Sequence, residues 1–134
     1  MVELLCVDPS LVKDIWPHTR PLVKRGMSRA DAGSFERTEK EILSGLQLLW
    51  LVWNGKTIEA AVVTQLVKHG DKKLCVIVSC SGHGVRRWVH LISRLEQFAK
   101  NEGCSAMRIY GRKGWERILE NYRAKYVVMD KELN

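Results

Sequence analysis

Apolar residues fall along this chain in two alternating rhythms, and the places where one gives way to the other divide it into elements. Val2 to Val7 is a short apolar run ending at Asp8-Pro9, which predicts a strand followed by a helix start. Asp8 suits the cap and Pro9 the first turn. Leu11, Val12, Ile15 and Trp16 give that helix one apolar face, and Pro17 and Pro21 are expected to end or kink it. Arg20 to Gly33 is polar and basic, which predicts a loop or short irregular helices. Ser34 can cap a second helix with Phe35, Thr38, Ile42 and Leu43 on one side and Gly45 as its stop signal.

The rhythm then changes. Leu46 to Trp53 predicts a strand, Asn54-Gly55 a type I′ turn, and Thr57 to Val67 the returning strand. His69-Gly70-Asp71 predicts a second turn into a β-branched run, Lys73 to Cys80, which completes a three-strand antiparallel meander. After the small-residue loop Ser81-Gly82-His83-Gly84, apolar residues return to helical spacing at Val85, Trp88, Val89, Ile92, Leu95, Phe98 and Ala99, and Gly103 ends the helix. Cys104 to Tyr110 predicts a strand, Gly111 to Gly114 a turn, Trp115 to Asn121 a short helix, and Tyr126 to Met129 a last strand. The order is β-α-α-β-β-β-α-β-α-β, an α/β class with a mixed sheet. The crossover through the long helix calls for a parallel βαβ unit.

With 134 residues this is one domain's worth of chain, expected to fold as a single domain over 1–134. No apolar run reaches membrane-spanning length and the first residues lack a basic region and apolar stretch of the secretory kind, so a cytoplasmic protein, or one packaged in a particle, is expected. Cys6, Cys75, Cys80 and Cys104 show no CxxC spacing and no clustered histidines. Buried free thiols are therefore expected rather than a metal site. The net charge of +7, from 22 Lys+Arg against 15 Asp+Glu, favours phosphate-bearing partners such as CoA or nucleic acid, or a plain solvated surface.

The chemistry-bearing stretch is Ser79-Cys80-Ser81-Gly82-His83-Gly84, with Arg86 and Arg87 following in the first helical turn. Arginines there oppose the helix dipole, which argues for an anion nearby; a loop with solvated arginines is the alternative. Glu59 on the return strand has two readings, a carboxylate facing a cleft as a base or the outward position of an alternating strand. His83 sits in the glycine loop and His90 on the helix's polar side. Trp50 and Trp53 have opposite parity, so only one shares a face with Leu48. Trp88 belongs to the apolar stripe, and Trp115 is either an exposed anchor or part of the core.

This element order, Gly82-x-Gly84, and the ending Gly111-Arg112-Lys113-Gly114-Trp115 with Arg123-Ala124-Lys125-Tyr126-Val127-Val128 resemble the GNAT N-acyltransferase superfamily over nearly the whole chain, and within it small proteins encoded by tailed phages and prophages. The resemblance implies a sheet splayed between its fourth and fifth strands, with acyl-CoA, such as acetyl-CoA, in the gap. The pantetheine arm would pair with backbone at Val76 and Val78. The pyrophosphate would rest on Gly82, His83, Gly84 and Val85 with Arg86 and Arg87. The motif's first position, Gln or Arg in the family, is Ser79 here. The family's usual tyrosine position falls near Ile118 or Leu119, leaving Tyr122 and Tyr110 as substitutes beside Glu59. The resemblance implies an acetyl-CoA-dependent N-acetyltransferase acting on an unidentified amine, with no metal and no membrane partner. The alternative is a non-catalytic GNAT-like phage protein bound to virion proteins or, through its basic surface, to nucleic acid.

Overall fold

The computed structural model of this protein describes residues 1–30 and 33–133. One mixed sheet holds β1 (Glu3–Cys6), β2 (Leu48–Trp53), β3 (Ile58–His69), β4 (Lys72–Gly82) and β5 (Ala106–Ile109), in that spatial order. The first three pairings are antiparallel and β4–β5 is parallel, as the helical crossover requires.

Side chains of the strands alternate between two covered faces. Leu49, Leu51, Ala61, Val63, Val76 and Val78 meet α1 (Val12–Ala30) and α2 (Phe35–Ser44). Trp50, Val62 and Ile77 meet α4 (Ile92–Asn101) and Leu119, which follows α5 (Trp115–Ile118). The opposite parity of Trp50 and Trp53 holds: Trp50 is buried in the cluster that Leu48 joins, and Trp53 is half-buried. Trp88 is buried, and Trp115 packs against the core rather than standing exposed. Cys75 is buried, Cys80 and Cys104 are half-buried, and Cys6 is exposed, contrary to its expected burial. Among the described residues no helix is long and apolar enough to cross a membrane, and no group of three potential metal ligands gathers.

Four local expectations are corrected. Neither Pro17 nor Pro21 ends the first helix, and the segment from Arg20 to Ala30 is helical; Asp31 and Ala32 lie outside the described residues. Val12, Trp16, Thr19, Val23 and Met27 continue one buried face at spacings of three and four. Burying a Val or Met contributes roughly 1.5–3 kcal/mol each, comparable with the ~3 kcal/mol an interior proline costs. The carbonyls left without an N–H belong to exposed Lys13 and Pro17, where water can serve them.

The long crossover helix is also broken, into α3 (Val85–Trp88), a 3-10 turn (Val89–Leu91) and α4, because Trp88 leaves helical geometry with φ −127°. The Asn54-Gly55 hairpin forms, but only Gly55 has positive φ, so the turn is not type I′. Asn54 Oδ1 instead accepts from the N–H groups of Lys56 and Thr57, both at 2.8 Å, closing an Asx turn. Finally, Tyr126 to Met129 forms no strand. The N–H of Ala124 is drawn to the Glu116 carboxylate at 2.7 Å, and the Tyr126 ring lies 5.8 Å from both Arg108 and Lys125, which directs the chain away from ladder bonding.

Candidate functional site

Two β-bulges shape the site, one on β4 and one on β3. On β4, Val63 faces Ser79 while Thr64 faces Ile77, so Val78 is the extra residue. A bulge bends its strand and increases the local twist. The parallel ladder to β5 runs from Leu74–Ala106 to Ile77–Ile109 and stops there, one residue before that bulge. Val78 is thus paired on neither side, and from Ser79 to Gly82 β4 pairs only with β3. Of the two strand positions expected to carry a ligand, Val76 lies inside the ladder opposite Arg108, and Val78 lies just past it.

The end of β4 leads straight into α3. Gly84 has φ 60° and precedes the helix without a side-chain cap. The His83 N–H donates to the Glu59 carbonyl at 2.9 Å, and that of Arg87 to the Gly84 carbonyl at 2.8 Å. The N–H groups of Gly84, Val85 and Arg86 have no backbone acceptor among the described residues. Arg86 is exposed with no ion pair among those residues. Three open donors beside a free guanidinium form a positive end where an anion is favoured.

Gly82 has a packing reason of its own. A Cβ there would lie 2.3 Å from the Cβ of Ala60 and from the Glu59 carbonyl oxygen, so only glycine lets β3 and β4 approach this closely. Ser79, at the first position of the motif, faces away from the loop: its buried hydroxyl donates to the Val23 carbonyl of α1 at 3.1 Å.

The second bulge, between Val52–Ala60 and Trp53–Ile58, leaves Glu59 unpaired on β3. Glu59 is buried, which corrects its reading as an outward-facing position. Its Oε2 accepts from Asn54 Nδ2 at 2.9 Å and from Arg87 Nη2 at 3.1 Å. The structure thus brings together Glu59 and Arg87, two residues assigned separate roles from sequence. Arg87 keeps 63% of its side chain exposed, with its remaining donors toward solvent. Asn54 was legible only as a turn residue; the five-residue offset across a hairpin was the available signal that it reaches Glu59.

The tyrosines lie apart from this pair. Tyr122 donates from its hydroxyl to Glu96 Oε2 on α4 at 2.8 Å. Burial, followed by that hydrogen bond and the carboxylate's charge, pushes its phenol well above the usual tyrosine range. Tyr110 directly follows β5, where the strands part, and is 54% exposed. His83 is exposed in the loop. Trp115 lies against Gly111, where an added Cβ would come within 2.7 Å of Trp115 Cδ1, and packs on the clusters that Cys80 joins, the core alternative of its two sequence readings.

No protein-family description and no curated protein sequence matches this chain. Its fold is nonetheless that of solved acetyltransferases. A predicted acetyltransferase from Clostridium acetobutylicum, solved with acetyl-CoA, superposes with a TM-score of 0.66 at 12% identity, over 100% of this chain and 96% of that one. A GNAT family acetyltransferase from Staphylococcus aureus gives 0.64 at 14% identity, with 98% of each chain covered. An aminoglycoside acetyltransferase from an uncultured soil metagenomic sample gives 0.69 at 10% identity, covering 100% and 99%. The GNAT architecture expected from element order is thereby the observed one.

Proposed function

We propose that this protein transfers an acetyl group from acetyl-CoA to an amine. One observation carries the reading: the open N–H groups of Gly84, Val85 and Arg86 stand at the end of a strand whose outer edge is released by the departure of β5. An extended amide-bearing arm suits the backbone of residues 78–82, and its diphosphate suits the donors at the helix start. The residues present therefore fit the group. Bound CoA would supply an acyl carbon activated as a thioester. Arg86 would neutralise phosphate charge, while Glu59, through Oε2, positions Arg87 beside it.

Of the two candidate proton donors, Tyr122 is poorly suited, because its raised phenol and its bond to Glu96 hold the proton in place. Tyr110, exposed beside the parting strands, is the better placed. The acceptor amine must arrive unprotonated or lose its proton to water or a carboxylate.

Calorimetric titration of acetyl-CoA into the full chain tests the reading. One-to-one binding is expected, abolished by Gly84→Glu and weakened about tenfold by Arg86→Ala, as for the loss of one charge-assisted hydrogen bond. Absence of binding would overturn it. The reading left would be a non-catalytic binding role.

A further inference from the structure

We infer that the opposite end of β4 carries a second anion site, one that takes the phosphate of a small phosphomonoester. A cavity of about 230 Å³ opens between the β3–β4 turn, β5 and the C-terminal segment, and His69, Lys72, Arg108 and Lys125 line it. No carboxylate lines it. The ion pairs among the described residues are Arg20–Glu39, Arg37–Glu41 and Arg87–Glu59, so none of the four basic residues is paired, not even with Asp71 in the adjacent turn.

Gathering like charges around one concavity costs Coulomb energy that a bound anion would reverse. Arg108 is the centre of the arrangement. It is half-buried on β5, and its contact with the Tyr126 ring, 5.8 Å away, leaves the guanidinium's fork of donors without an acceptor. That fork matches two oxygens of a phosphate, and Lys72 and Lys125 add point charges on either side.

The rest of the lining gives the ligand's other half. Leu74 is buried at the floor and the Tyr126 ring forms one wall, an apolar bed for a small planar or aliphatic body attached to the phosphate. The site is independent of the proposed CoA cradle: Lys72 and Gly82 are the two ends of β4, ten residues apart, which in an extended strand is about 33 Å. Ligand binding would also fasten the C-terminal segment after Tyr122, whose one backbone hydrogen bond among the described residues is that of the Ala124 N–H to Glu116, by bridging Arg108 to Lys125.

Phenyl phosphate, titrated calorimetrically into the full chain at constant ionic strength, is the probe, with trypsin cleavage after Arg123 followed in parallel. One-to-one binding that slows the cleavage is expected. Lys72→Glu with Lys125→Glu, both at exposed positions, should weaken it at least about tenfold, while Arg86→Ala with Arg87→Ala should not. No binding would overturn the site, as would binding lost in the Arg86/Arg87 variant and kept in the lysine variant. Inorganic phosphate binding as tightly as phenyl phosphate would overturn the organic half of the ligand. An oligonucleotide binding more tightly with length, and weakened equally by both variants, would replace the site with a diffuse basic surface.

Discussion

Ser79 shows how a single side chain changes the meaning of a motif. It stands where an anion-binding Gln or Arg is expected, yet its hydroxyl is bonded to the Val23 carbonyl, and a Cβ on Gly26 of α1 would lie 2.3 Å from its Oγ. The cause is the extra residue at Val78, which turns Val78 and Ser79 toward the same face. Sequence parity counts every strand residue once, so a bulge is invisible to it, and the spacing Ser79-x-x-Gly82-x-Gly84 was legible while the direction of Ser79 was not. Ser79→Ala should then cost about 1 kcal/mol of stability by urea denaturation, the worth of one net hydrogen bond, and leave acetyl-CoA affinity unchanged by calorimetry. A loss of affinity with no loss of stability would mean that the hydroxyl serves the loop instead.

Among elements, α1 departs furthest from its sequence signals, because prolines and basic residues act locally whereas the burial of Val23 and Met27 is a long-range gain. The prolines remain a cost. Pro21 is exposed and removes the N–H that would meet the Pro17 carbonyl. Pro21→Ala should therefore raise stability by about 1–3 kcal/mol, read from the urea midpoint; an unchanged or lower midpoint would show that the helix is bent there to fit β4. The meander and the β4-helix-β5 crossover were legible because alternation, turn residues and helical spacing all agree within each segment. The last strand was misjudged for the opposite reason. Tyr126, Val127, Val128 and Met129 have strand chemistry, but they are 72–88% exposed and the charged neighbours Arg108, Glu116 and Lys125 set their course.

At the scale of the whole molecule, the sheet separates two covered faces, and β4, between β3 and the edge strand β5, has a basic, unpaired group beyond each end: Arg86 at one terminus, Lys72 with Arg108 and Lys125 at the other. The same strand makes the fold sensitive to alkali. Cys75 is fully buried, and burial, with the charge of Cys104 second, pushes its thiol from 9.0 up to about 11. In the unfolded chain the thiol loses its proton near the lower value, so between the two values the native state holds a proton the unfolded state has released. The stabilising contribution is fully present below pH 9 and is lost as pH rises through about 11, a difference of about 2 kcal/mol at the upper value. Urea midpoints measured from pH 8 upward should fall more steeply for the natural sequence than for Cys75→Ala, whose packing loss lowers every point alike and leaves the slope as the signal. Parallel curves would mean that water reaches the sulfur, and that the β4–β5 ladder opens at Cys75–Met107 more readily than its burial implies.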